Sequence, residues 1–150
     1  MNSQSFRILV VEDDEEINEL ECDLLRAHGM EAVPALSGAE ALETCGELDF
    51  DAIMLDIMLP RRDGFDTCKE LRRKWGDKLS IVMITALDGD DCRRRGFEAG
   101  ADAYFTKPFD PDEVVETLRG LLVRSSGGNG VSSEVSERVL PGDEQEEPSE

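Results

Sequence analysis

The sequence predicts an α/β domain, a parallel sheet of five strands with helices on both faces. Three observations lead there. Five short, nearly continuous apolar runs recur along the chain: Phe6 to Val11, Glu31 to Ala35, Asp51 to Asp56, Leu79 to Ile84 and Ala103 to Thr106. Segments of helical spacing separate them, and the connections are short. Continuous apolar strands alternating with helices belong to a sheet buried on both sides.

The first run, Phe6-Arg7-Ile8-Leu9-Val10-Val11, ends in three acids, Glu12-Asp13-Asp14. Asp14 is placed to cap a helix rather than to join the two acids before it. In that helix Ile17, Leu20, Leu24 and Leu25 form the expected inner stripe, with Glu15, Glu16, Glu19 and Asp23 outward. His28-Gly29 ends it. The second run contains Pro34, which cannot donate to a ladder, so it is an edge strand. Ser37-Gly38 opens a second helix through about Cys45, with Ala41 and Leu42 inward.

The third strand, Asp51 to Asp56, organises the rest. It is apolar until it ends in a carboxylate, an expensive group at a buried strand end unless something uses it. Leu59-Pro60 and the turn Arg61-Arg62-Asp63-Gly64 follow. The next helix carries Phe65, Cys68, Leu71 and Trp75 on one side and a basic face of Lys69, Arg72, Arg73 and Lys74. The fourth strand ends in Thr85-Ala86. A weak helix from Asp88 to Glu98 contains Gly89 and Gly96, a basic run Arg93-Arg94-Arg95, and few apolar anchors beyond Cys92 and Phe97. The fifth strand leads into Lys107-Pro108-Phe109. Asp110-Pro111 then starts a last helix with Val114, Val115, Leu118, Leu121 and Leu122 on its apolar face.

Composition bounds the function. The chain has 150 residues, 39% of them hydrophobic, and a formal charge of −19, which argues against a nucleic-acid footprint. No apolar run is long enough to span a membrane. The start, Met1-Asn2-Ser3-Gln4-Ser5, lacks the basic and apolar regions of a signal peptide, so the expected location is the cytoplasm. Cys22, Cys45, Cys68 and Cys92 form no close pair of the zinc-binding kind and are expected as reduced, mostly buried thiols. Residues 1–124 form the expected domain. Residues 125–150 open on Ser125-Ser126-Gly127-Gly128-Asn129-Gly130 and turn rich in Glu, Ser and Pro, a linker followed by an expected disordered acidic tail.

Parallel topology sends every strand's C-terminus to one edge, where ligands of open α/β sheets bind. Glu12 and Asp13, Asp56, Thr85 and Lys107 would meet there. Neighbouring carboxylates repel unless a cation is present. Oxygen-only ligands suit Mg²⁺, which keeps several waters and takes phosphate oxygens. A carboxylate is also a nucleophile toward phosphorus. Phosphoryl transfer needs positioning and charge neutralisation above all, which Lys107 and the Thr85 hydroxyl are equipped to give.

These pieces resemble the receiver domain of two-component response regulators over roughly residues 5 to 124. The matching stretches are Ile8-Leu9-Val10-Val11-Glu12-Asp13-Asp14, Leu55-Asp56-Ile57-Met58-Leu59-Pro60 with Asp63-Gly64, Thr85-Ala86, and Tyr104-Phe105-Thr106-Lys107-Pro108-Phe109. The resemblance implies a flavodoxin-like, doubly wound (βα)5 fold with strand order 2-1-3-4-5. It implies Asp56 as phosphoacceptor, and Mg²⁺ held by Glu12, Asp13, Asp56 and the backbone carbonyl of Met58. Lys107, Thr85 and Ala86 would bind the phosphoryl group, Lys107-Pro108 would be a cis peptide, and Thr85 with Tyr104 would be the switch pair, the tyrosine ring turning inward on phosphorylation. The implied partners are a histidine kinase or phosphotransfer protein and a downstream protein at the face of the fourth helix, fifth strand and fifth helix, with no membrane and no direct nucleic-acid contact. Such a domain signals and is not an enzyme. Receivers that dimerise through that face often carry two acids after Gly-Ala, whereas here Asp102 is followed by Ala103, which leaves the oligomeric state open. Two rival readings are the N-terminal receiver of a larger regulator and an Mg²⁺-dependent aspartyl phosphohydrolase. The latter typically needs a second acid two residues after the nucleophile, where this chain has Met58.

Overall fold

The computed structural model describes residues 6–57, 64–86 and 89–127, with side chains through 123. Five strands and five helices alternate: β1 (Arg7–Val11), α1 (Glu15–Ala27), β2 (Glu31–Ala35), α2 (Gly38–Glu47), β3 (Ala52–Leu55), α3 (Gly64–Trp75), β4 (Ser80–Thr85), α4 (Asp90–Ala99), β5 (Ala103–Thr106) and α5 (Pro111–Gly127). A short 3-10 turn, Gly76–Lys78, precedes β4. All neighbouring strands are parallel, in the order β2-β1-β3-β4-β5. The expected topology is thus present, with β2 and its Pro34 at one edge.

The period of two along each strand splits the core into two layers. Leu9, Val11, Ile53, Leu55, Ile81 and Met83 face Ala41, Cys45, Phe65, Cys68 and Leu71 from α2 and α3. Ile8, Val10, Met54, Val82 and Ile84 face Cys22 and Leu25 of α1 and Val114, Leu118 and Leu121 of α5. Every residue of β3 and β4 is buried, which is why those strands carry no alternation.

Four local expectations need correction. In α1 the inner stripe is Asn18, Glu21, Cys22 and Leu25, whereas Ile17 is 37% and Leu20 67% exposed. The helix is therefore rotated relative to the stripe its leucines define. Arg72 does not belong to a solvated basic face. Its guanidinium donates to the carbonyls of Gly76, Leu79 and Gly100 and pairs with Asp102 at 2.9 Å. Asp102 in turn accepts from the amide of Ile81 at 2.8 Å, so it joins β4 to the turn before β5. Helix α4 begins at Asp90, later than expected, with Gly89 before it and no side-chain cap. Helix α5 runs on to Gly127, past the expected start of the linker. Met58, Leu59-Pro60, Arg61-Arg62, Asp63, Leu87, Asp88 and the acidic segment 128–150 lie outside the described residues.

The thiols are buried at Cys22, Cys45 and Cys68 and half-buried at Cys92. Burial pushes Cys45 up to about 11 and Cys68 up to about 12, so neither is a reactive thiolate at neutral pH.

Candidate functional site

Register delivers the polar groups to one edge. Val11 pairs with Leu55 and Leu55 with Met83, while Thr85 pairs with Thr106. The ladder continues one step further: Asp56 N donates to Val11 O at 3.1 Å, Glu12 N to Ala35 O at 3.1 Å and Lys107 N to Thr85 O at 2.7 Å. Glu12, Asp56, Thr85 and Lys107 thereby stand side by side where the strands end. Glu12, Asp56 and Thr85 are buried. Asp13 is exposed beside them.

Lys107 closes the cluster. Its Nζ lies 2.7 Å from Glu12 Oε1 and 3.2 Å from Asp56 Oδ2, one ammonium shared by two buried carboxylates. Burial works against its charge, but the Glu12 bond and the charges of Asp56 and Glu12 outweigh it and hold the ammonium above its ordinary 10.5. The Lys107-Pro108 peptide is cis, as expected. The other Glu12 oxygen, Oε2, accepts from Asp14 N at 3.1 Å. Asp14 itself caps α1, accepting from Glu16 N and Ile17 N, and so stays out of the acidic group. Ala86 follows Thr85 and is exposed.

Two supporting residues, Asn18 and Glu21, escaped the sequence reasoning, and a third, Gly64, was legible there only as part of a turn. Asn18 Nδ2 lies 3.0 to 3.1 Å from three carbonyls, those of Val10, Glu12 and Ala35, and ties α1 to the ends of β1 and β2. Its signal was an inward polar residue in step with Cys22 and Leu25. Gly64 opens α3 packed against the backbone of Asp56 and Ile57. A Cβ there would lie 2.6 Å from Asp56 O and closer still to Ile57 Cα, so no larger residue fits without moving Asp56. Glu21 lines a groove of about 380 Å³ together with Ile17, Leu20, Leu24, Lys107 and Phe109. Burial is the main cause of its raised pKa, from 4.5 to about 7, which Lys107 opposes and Glu12 and Asp56 reinforce.

Glu12, Asp13 and Asp56 offer oxygen only, the donor set of Mg²⁺, which needs one or two carboxylates and keeps its waters. Among the described residues no group of three or more His, Cys, Asp or Glu side chains is placed so that it could hold a metal ion.

A family model, the response regulator receiver domain, matches residues 8–119. The chain belongs to that family. It is 41% identical over 127 residues to the response regulator MprA of Mycobacterium sp. (strain KMS), an overlap of 85% of this chain and 55% of the relative. It is 40% identical over 121 residues to the DNA-binding dual master transcriptional regulator RpaA of Synechocystis sp., covering 79% of this chain and 50% of that one. The receiver therefore spans about half the length of the curated relatives it matches. Among solved structures, the receiver domain of the Francisella response regulator 1452 superposes with a TM-score of 0.76 at 30% identity, over 81% of this chain and 99% of that one. A CheY-like receiver domain protein from Methanospirillum hungatei gives 0.78 at 26% identity, over 83% and 98%. No helix among the described residues of this receiver is long and apolar enough to cross a membrane.

Proposed function

We propose that this receiver takes a phosphoryl group onto Asp56 from a histidine kinase or phosphotransfer protein and signals by protein contact. The observation that carries the reading is the single ammonium of Lys107 held between Glu12 and Asp56. A carboxylate oxygen of Asp56 attacks phosphorus, the bond from phosphorus to the donor's imidazole nitrogen breaks, and the imidazole leaves with the electron pair. Lys107 then exchanges its bond to the Asp56 carboxylate for one to a phosphoryl oxygen, and the Thr85 hydroxyl donates to another. Glu12, Asp13, Asp56 and the carbonyl of Met58 would hold Mg²⁺, which when bound neutralises charge on the phosphoryl oxygens.

Two features favour protein partners. Exposed Ile17 and Leu20 leave apolar surface beside Lys107, of the kind a protein face covers. The charge of −19 disfavours direct contact with nucleic acid. The greater length of MprA and RpaA favours a second possibility, that the receiver works as one part of a longer regulator. Acetyl phosphate with Mg²⁺, followed by intact-mass measurement, is expected to add one phosphoryl group to the wild type and none to Asp56→Asn. Persistent labelling of Asp56→Asn would remove Asp56 from the role.

A further inference from the structure

We infer that the segment from Val131 to Glu147 folds back onto the basic end of α3 and seats its aliphatic side chains in the cavity beside Trp75. The inference goes beyond the phosphoryl chemistry of Asp56 and does not rest on it. The surface concerned lies at the opposite edge of the sheet from the carboxylates. Phe6 precedes β1, Asp51 precedes β3 and Gly76–Lys78 precedes β4, so these residues gather where the strands begin.

Phe6, Trp75, Lys78 and Leu122 line a cavity of about 670 Å³ there. A second, of about 330 Å³, shares Trp75 and Lys78 and is walled by Leu48 and Phe50. Leu48 is 41% exposed, and Phe6, Phe50 and Trp75 are half-buried, so the two cavities present apolar surface around one indole. The rim is basic. Three of the chain's four lysines, Lys69, Lys74 and Lys78, fall on α3 and the turn after it. The Lys74 ammonium stands 5.9 Å from the centroid of the Trp75 ring. Of the acids at the cavities, Asp51 is already engaged, accepting from Arg7 N at 2.8 Å.

The occupant lies in the same chain. Leu122 lines the larger cavity, and α5 ends only five residues on, at Gly127. Five residues of helix carry the chain about 7.5 Å past the cavity. Gly128-Asn129-Gly130 then spans up to about 10 Å, enough to bring Val131 back to its mouth. From there Val131, Val135 and Val139 recur every fourth residue, with Leu140 after the last, and Glu134 and Glu137 fall outside that stripe. Asp143, Glu144, Glu146 and Glu147 follow. So few apolar residues cannot build a core of their own, but an aliphatic stripe can be buried in a groove that is already folded. The acids then meet the lysines of α3, so the two surfaces are opposite in charge. A tether this short holds the segment at an effective concentration of about millimolar order, and modest contacts suffice.

Trp75 is the chain's single tryptophan, so acrylamide quenching of its fluorescence reads the cavity directly in the full chain. Val139→Asp with Leu140→Asp leaves the residues up to Gly127 untouched. It should shift the docked-to-free ratio by at least about tenfold, since two aliphatic side chains lose their burial, and the indole should become more accessible. Lys74→Glu with Lys78→Glu should expose it likewise, and adding Glu144→Lys, Glu146→Lys and Glu147→Lys to that variant should restore protection. Zero-length carbodiimide cross-linking, read by peptide mass, should join Lys74 or Lys78 to an acid between Glu134 and Glu147 within a single chain. Three results would overturn the inference. Equal quenching in wild type and the Val139→Asp, Leu140→Asp variant would leave the cavity open. Cross-links from the segment to Lys107 would place it beside α1 instead. Links found only between two chains would seat a second copy in the cavity.

Discussion

Replacing Glu21 by Gln tests the electrostatics of the site through stability alone. Glu21 is 7% exposed on the inner side of α1. Its raised pKa, from 4.5 to about 7, means that the fold keeps a proton the unfolded chain has already released. The sign follows directly. Below pH 4.5 both states are protonated and nothing is lost. Between 4.5 and about 7, the stability contributed by the protonated carboxyl falls by about 1.36 kcal/mol per pH unit, and above that window it is gone. The full span amounts to about 3 kcal/mol. Glutamine keeps the size and the polarity but does not titrate. Urea unfolding of both proteins, with a chelator present, should show Glu21→Gln nearly level with wild type near about pH 5 and more stable by about 3 kcal/mol near about pH 8. A difference that stays flat across that range would show that the carboxyl is solvated and that the packing of α1 against Lys107 is wrong.

Three further substitutions probe the supports of the site. Asn18→Leu leaves the carbonyls of Val10, Glu12 and Ala35 without their amide donor, and should cost on the order of 3 kcal/mol in urea unfolding. A loss below about 0.5 kcal/mol would mean that water replaces the amide. Asp102→Ala removes the partner of Arg72 and the acceptor of Ile81 N, and about 2 kcal/mol should go with them. Gly64→Ala forces a methyl group onto Asp56 O, so acetyl phosphate labelling should slow by at least about tenfold, since small misplacements of a reacting group are costly. Wild-type labelling in that variant would show that the backbone of Asp56 and Ile57 yields without moving the carboxylate.

What was legible in the chain depended on how local the information was. A strand buried on both faces needs only its own apolar residues, so β1, β3 and β4 declare themselves. Parallel topology then brings their last residues together without any further code, which is why Glu12, Asp56, Thr85 and Lys107 were readable as a group. The facing of α1 was not local. Two stripes at helical spacing compete there, one through Ile17 and Leu20 and one through Asn18 and Cys22. Hydrophobicity favours the first, yet the second is buried. The decision lies in the sheet: three carbonyls converge where β1 and β2 end, and the Asn18 amide on the inner face donates toward them. The same reasoning covers Arg72, whose basic neighbours hid that the carbonyls of Gly76, Leu79 and Gly100 require it. A polar residue is thus turned inward by backbone acceptors on another element, information that no helical period contains. The exposed Ile17 and Leu20 are the other half of that outcome. By drawing Asn18 and Glu21 under the sheet edge, α1 is left presenting two apolar side chains to the groove beside Lys107. The hydrogen bonds that draw Asn18 under the sheet edge therefore also leave apolar surface beside Lys107.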